Sequence, residues 1–182
     1  MKTILLDSSA FIAGFEIPEG EVKSYTVPLI IDEITKNSLM RLRIQIAIDS
    51  GRLSIRSPER KYIAEVDEAL KILGESGFLS IPDRDLLALA LQFKEEGGAP
   101  IIFSDDYSIQ NIAEYFDIKY WSASTRGIKR VFKWVIYCSG CKKTFNQLGE
   151  NASCPVCGTT LKRKPLKKFN TKTKLNGASL SK

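Results

Sequence analysis

The four cysteines constrain this chain most, because all of them fall in two short knuckles, Cys138-Ser139-Gly140-Cys141 and Cys154-Pro155-Val156-Cys157, separated by a 12-residue loop. Two such turns place four thiolates tetrahedrally around one ion, and Gly140 and Gly158 permit tight backbone around the sulfurs. Disulfides would need an oxidising compartment, for which no targeting segment speaks, and iron in a rubredoxin-like site is the other alternative. Zinc is the better expectation, one ion per chain. Four protein ligands leave no open coordination position, so the ion is structural and the use of the module lies on its surface.

At 182 residues and 43% hydrophobic, the chain buries one ordinary core and carries such a module beside it. The start, Met1-Lys2-Thr3-Ile4-Leu5-Leu6-Asp7, fits neither a signal peptide nor a membrane span, so a soluble cytoplasmic protein is expected. Histidine is absent. That excludes Ser-His-Asp hydrolysis, imidazole acid–base chemistry and any zinc site containing histidine. A hydrolase built from this composition must use carboxylates with metal, or an unusual Lys or Tyr base.

The summed charge of +6 hides a segregation. Residues 1–130 carry 16 Lys/Arg against 20 Asp/Glu, a net −4, whereas residues 131–182 carry 11 against Glu150 alone, a net +10. An acidic body concentrates divalent cations, and a basic segment attracts polyanions such as nucleic acid.

Hydrophobic periodicity alternates strands and helices over residues 1–121. Ile4 to Leu6 reads as a buried strand, Ser24 to Val27 as a second and Leu53 to Ile55 as a short or edge strand. Leu29 to Ile48 shows one helical spacing stopped at Gly51, and Glu59 to Leu73 is amphipathic and broken by Gly74. Asp83 to Phe93 is a strongly apolar helix, Pro100 to Phe103 a buried strand, Tyr107 to Tyr115 a helix, and Ile118 to Trp121 the last strand. This order implies an α/β fold with a parallel sheet flanked by helices, whose ligands bind beyond the carboxyl ends of the strands. Residues 122–133 are expected to be a linker, 134–162 the zinc ribbon and 163–182 a basic tail without fixed structure.

Four acidic stations fall at element boundaries: Asp7, Asp32/Glu33, Asp83/Asp85 and Asp105/Asp106. Converging carboxylates bind Mg²⁺ or Mn²⁺, which prefer oxygen ligands and keep waters. Each station also has a structural reading. Ser80-Ile81-Pro82-Asp83 matches a capping box, Asp32 and Glu33 suit a helix amino terminus, and Ser104-Asp105 could cap the following helix. Asp83 and Asp85 cannot both face one ion from a regular helix.

The order of these stations, Leu6-Asp7-Ser8-Ser9, Ile31-Asp32-Glu33-Ile34, Ile81-Pro82-Asp83 leading into Leu87-Ala88-Leu89-Ala90-Leu91, and Ile102-Phe103-Ser104-Asp105-Asp106, resembles the PIN nuclease family over residues 1–121. The resemblance implies a ribonuclease specific for single strands, with three or four acids on one or two Mg²⁺ or Mn²⁺ ions. Matched motif to motif it assigns Asp7, Glu33, Asp83 and Asp106 to the catalytic positions, with Asp85 and Asp105 as rivals, and Asp7, Asp83 and Asp106 to the metal. Ser104 stands where the family more often has Thr. With the ribbon ligands Cys138, Cys141, Cys154 and Cys157 and the basic tail, the whole chain resembles the Nin-one-binding family of small-subunit rRNA maturation nucleases in its compact archaeal form. That resemblance implies endonucleolytic removal of the 3′ extension of precursor small-subunit rRNA within a pre-ribosomal particle, where assembly-factor proteins are possible partners. Lys142, Lys143, Lys162, Arg163 and Lys164, with Tyr137 and Phe145 nearby, are the candidate RNA contacts. Two other readings stay open: a toxin-type PIN ribonuclease acting on mRNA or tRNA, and a non-enzymatic RNA-binding assembly factor.

Overall fold

A computed structural model describes residues 2–17, 22–36, 38–123, 131–145 and 151–169. Five parallel strands, β1 (Lys2–Leu6), β2 (Lys23–Thr26), β3 (Leu53–Ile55), β4 (Ala99–Phe103) and β5 (Lys119–Trp121), form one sheet in the order β3-β2-β1-β4-β5. The central strands are the apolar runs of the sequence; Leu5, Leu6 and Ile102 are fully buried, as strands covered on both faces require. Helices α1 (Ser8–Ile12), α2 (Pro28–Ile34), α3 (Ser38–Asp49), α4 (Arg60–Leu73), α5 (Ile81–Glu95) and α6 (Tyr107–Tyr115) flank the sheet. Every residue of α5 from Leu86 to Phe93 is buried, so it is the central helix of the core.

One helix expected across Leu29 to Ile48 is two. Helix α2 ends at Ile34, where the Thr35 backbone N–H and hydroxyl both donate to the Ile31 carbonyl. A polar Thr-Lys-Asn stretch breaks a spacing whose apolar residues continue on either side.

Helices α4 and α5 run antiparallel, tied by Glu59 and Gln92 at one end, where the Glu59 N–H donates to Gln92 Oε1 at 3.0 Å, and by Arg84 and Asp67 at 3.7 Å toward the other. Gly74 ends α4 in a left-handed conformation, φ 69°, which a residue with a Cβ adopts only at a cost. The same position makes a close approach: a Cβ there would run into the Trp134 carbonyl.

That contact belongs to a second sheet of three antiparallel strands, β6 (Val131–Cys138), β7 (Thr144–Phe145) and β8 (Leu161–Phe169), in the order β7-β6-β8. It revises two expected boundaries. Strand β6 begins at Val131, inside the expected linker, and β8 extends to Phe169, inside the expected tail. Residues 124–130 and 170–182 lie outside the described residues. The lysines of β8 masked its alternation: Leu161 is buried and Arg163 nearly so, while Lys162 and Lys164, on either side of Arg163, face out. Val131 joins the core of the first sheet, and Phe78 of the first module packs into the ribbon's own small core of Ile136, Cys138, Cys154 and Leu161.

Candidate active site

In this sheet order the chain winds one way from β1 and then returns to its other side, so a crevice opens at the carboxyl ends of β1 and β4. Leu6 and Phe103 are register partners there, and the Asp7 N–H donates to the Phe103 carbonyl at 3.2 Å. Asp7 and Ser104 are therefore the first residues beyond two adjacent strand ends. The Ser104 hydroxyl donates to Asp7 Oδ2 at 2.7 Å and accepts the Asp106 N–H at 3.1 Å, so one buried hydroxyl ties two acids together. The Ser9 hydroxyl adds a second donor to Asp7 Oδ2, at 3.0 Å. Asp7 is 4% exposed, and these bonds satisfy the carboxylate oxygens in a place closed to water.

Asp83 arrives from the start of α5. Its N–H donates to the Ser80 hydroxyl, which in turn donates to Asp83 Oδ2 at 2.6 Å, so Ser80 is the N-cap as expected, while the Asp83 carboxylate bonds the hydroxyl where a full capping box uses the Ser80 N–H. Burial pushes the Asp83 carboxyl up to about 6; the Ser80 bond opposes this, and the charges of Asp7, Asp106 and Glu33 raise it further. The three acids that act on Asp83 are those assigned by motif. Asp106 is the N-cap of α6, its carboxylate accepting the Ser108 N–H at 2.6 Å. Capping and convergence are thus not alternatives: the amino ends of α5 and α6, with their positive dipole ends, hold Asp83 and Asp106 beside Asp7.

Glu33 differs from its expected placing. Helix α2 spans Pro28–Ile34, so Glu33 lies in its last turn, where an acid meets the negative end of the dipole. No local stabilisation accounts for it. The other acids are engaged elsewhere. Asp85 Oδ1 takes the Arg84 guanidinium at 3.0 Å, and Asp105 Oδ1 accepts the Ala123 N–H at 2.8 Å and the Ser122 hydroxyl, pinning the chain after β5. Asp32 is exposed.

Like charges gathered around a half-buried carboxyl are the donor set a divalent oxygen-seeking cation requires. Among the described residues the cysteine sulfurs alone lie within 4.8 Å of one another as a set of three or more. The acids are more widely spaced, which suits a cation that keeps part of its water shell and takes only one or two carboxylates directly.

The cysteines form a tighter site. Sγ of Cys138 and Cys157 are 3.3 Å apart, those of Cys141 and Cys154 3.7 Å, and all four fall within 4.8 Å. Sulfurs at ~2.3 Å from a tetrahedral zinc stand roughly 3.8 Å apart, so the donor set fits that ion. The knuckles repeat one another. Lys142 N–H donates to Cys138 O and Gly158 N–H to Cys154 O, while Cys138 N–H returns to Lys143 O and Cys154 N–H to Thr159 O. The residue after each second cysteine is left-handed, Lys142 at φ 63° and Gly158 at φ 73°. A Cβ on Gly140 would lie 2.6 Å from Thr159 Oγ1 and 3.3 Å from Cys157 Sγ, so only glycine lets the knuckles meet. Hydrogen bonds from the Thr159 side chain and backbone pull the Cys157 thiol down to about 6, toward the thiolate a metal needs.

Of the basic candidates, Lys142, Lys143, Lys162 and Lys164 are exposed, with the Lys164 ammonium 4.5 Å from the Tyr137 ring centre. Arg163 does not belong with them. Its guanidinium pairs with Glu75, itself 1% exposed, and stacks 4.1 Å from the ring centres of both Phe78 and Trp134. Strand alternation turns Arg163 inward between two outward lysines, which spacing alone could have shown had β8 been recognised. Sequence reasoning also missed Asn111, buried in α6, whose amide donates to Glu75 and to the Phe132 carbonyl and accepts the Phe132 N–H at 2.7 Å. An asparagine in mid-helix is a poor helix former and was the available signal.

A family model described as the PIN domain of ribonuclease matches residues 4–93. The endoribonuclease Nob1 of Pyrococcus abyssi is 37% identical over 162 residues, covering 89% of this chain and 93% of its own length. The chain belongs to the Nob1 endoribonuclease family. The Nob1 of Methanocaldococcus jannaschii is 38% identical over 92% of this chain and 80% of its own, and the ribonuclease VapC1 of Thermoplasma acidophilum 34% over 87% and 76%. The Nob1 matches span both modules, so family membership covers the ribbon as well as the nuclease. No described helix is long and apolar enough to cross a membrane.

Proposed function

We propose that the chain cleaves single-stranded RNA by metal-dependent hydrolysis at Asp7, Glu33, Asp83 and Asp106, and that its substrate is precursor small-subunit rRNA, trimmed at the 3′ end in the cytoplasm within a pre-ribosomal particle. The observation that carries the reading is the buried Ser104 hydroxyl that ties Asp7 to Asp106 at adjacent strand ends, with the half-buried Asp83, raised by burial and then by the charges of Asp7, Asp106 and Glu33, at the start of α5. Asp7 and Asp106, fixed by the Ser104 hydroxyl, and Asp83, fixed by Ser80, would hold one or two Mg²⁺ or Mn²⁺ ions, with Glu33, whose charge acts on Asp83, supporting them from α2. A cation bound there supplies an activated water and neutralises charge on the leaving oxygen. The protein's own part is to hold these carboxylates in place. The sulfurs of Cys138, Cys141, Cys154 and Cys157 would hold one structural zinc. The ribbon module, counted from Val131, would bind rRNA through Lys142, Lys143, Lys162 and Lys164.

Purified protein is incubated with precursor small-subunit rRNA, mRNA and tRNA in Mn²⁺, with and without chelator. Cleavage of the precursor at one site, abolished by chelator and by Asp7→Asn, is expected. Equal cutting of mRNA or tRNA would favour the toxin-type alternative, and no cutting of any would leave an RNA-binding assembly factor.

A further inference from the structure

We propose that Tyr107 and Trp121 form a stacking platform for unpaired RNA bases beside the phosphate held at the carboxylates. The proposal rests on the reading of those acids as the cleavage site. Among the described residues, Tyr107 and Trp121 are the exposed aromatic side chains, at 56% and 49%. Other described aromatics are buried or half-buried. Both exposed ones lie at the carboxyl rim of the sheet. Tyr107 directly follows Asp106 at the start of α6. Trp121 ends β5, register partner of Phe103, and its carbonyl accepts the Ser104 N–H at 3.0 Å, the same serine whose hydroxyl is bonded to Asp7. Two further exposed apolar side chains stand on helices that begin at the acids, Ile81, 60% exposed and two residues before Asp83, and Ile12, 73% exposed at the end of α1.

Electrostatics explains why such a rim is useful. Residues 1–130 carry a net −4, so the surface around the acids repels an RNA backbone wherever a cation does not screen it. Local grip on the strand must therefore come from uncharged contact, and base faces offer it: stacking on an aromatic side chain contributes ~1–3 kcal/mol per base and tolerates any sequence. The same contact selects the substrate. A paired base has both faces covered by its neighbours, so the platform accepts only an unpaired strand.

The test uses the intact chain carrying Asp7→Asn, which leaves RNA uncut, titrated in Mg²⁺ with a short oligouridylate. The chain has two tryptophans, and Trp134 is stacked on Arg163, so the change in emission that Trp121→Phe removes reports Trp121. Binding of the single strand is expected to quench Trp121, and a hairpin duplex is expected not to. In the cleaving protein, Tyr107→Ala and Trp121→Ala should each raise KM roughly 5- to 100-fold with a smaller effect on kcat. Tyr107→Phe and Trp121→Phe, which keep a ring, should recover most of the loss. Cleavage at the parent rate and KM in both alanine variants, or saturable binding without quenching, overturns the platform and leaves the nuclease reading standing. A parent protein that neither binds nor cuts the single strand overturns both.

Discussion

Arg163 and Glu75, 88 residues apart, form an ion pair that fastens the ribbon to the nuclease module. The guanidinium lies between Phe78 and Trp134, and Asn111 donates to the other Glu75 oxygen. Breaking a buried pair from one side leaves an uncompensated charge, at a cost of ~3–5 kcal/mol. Arg163→Met should lower stability by about that amount in urea denaturation, and Glu75→Met with Arg163→Met should recover much of it. RNA affinity should keep its salt dependence in Arg163→Met. Replacing Lys162 and Lys164 should flatten the slope by about one unit per lost phosphate contact. A slope that responds to Arg163 as it does to the lysines would place the guanidinium on RNA.

Asp83 gives the enzyme a pH dependence with a definite sign. Its carboxyl is raised, so the folded protein binds more protons than the unfolded chain between about pH 4 and about 6. Without divalent cation, stability should fall as pH rises through that window. Asp83→Asn should remove the decline and be more stable than the parent above pH 6 in chelator. At subsaturating Mn²⁺, cleavage should rise as pH passes about 6, because a proton on Asp83 competes with the cation, and saturating Mn²⁺ should move that rise to lower pH. Thermal denaturation in chelator and initial rates at low and saturating Mn²⁺ across a buffer series measure both, and a pH profile that does not move with Mn²⁺ concentration would remove Asp83 from the metal site.

Ser104 is the hinge of the carboxylate arrangement. Ser104→Ala removes the donor to Asp7 and the acceptor of the Asp106 N–H, so cation affinity should fall roughly 10- to 100-fold. Ser104→Thr keeps the hydroxyl and should behave much like the parent. The readout is the Mn²⁺ concentration giving half-maximal rate.

Within the acidic pairs, Asp7→Asn and Asp106→Asn should each reduce cleavage more than a hundredfold, on the order expected for an essential metal ligand. Asp85→Asn should cut near the parent rate, its carboxylate being taken by Arg84. Asp105→Asn should act on stability, since Asp105 anchors Ser122 and Ala123. Single-turnover rates beside melting curves separate the two effects. An Asp105 variant that folds fully yet does not cut would contradict this division.

One zinc per chain is expected by elemental analysis, and iron, or free thiols without metal, would refute it. Gly140→Ala drives a methyl into Thr159 across the knuckles and should weaken zinc in chelator competition. Removing the zinc should also loosen the Phe78 and Arg163 contacts, so the two modules should melt together rather than in two steps.

The sequence by itself determined the alternation of strands and helices, the parallel α/β class and the four-thiol site, because each is written in short-range spacing: period two, period 3.6, and two Cys-x-x-Cys turns. It also narrowed the acids to four stations at element boundaries, of which Asp7 and Asp105/Asp106 follow strand ends that in such a sheet border one crevice. What it left open depended on contacts between distant segments. That Asp105, rather than Asp106, takes up the segment after Trp121 could be seen only once β5 lay beside β4. Only the tertiary structure showed that the Arg163 guanidinium is turned inward onto Glu75. Its neighbours in sequence are solvent-facing lysines, whereas its partners, Glu75, Phe78 and Trp134, meet it only when β8 pairs with β6 and the ribbon packs on the end of α4.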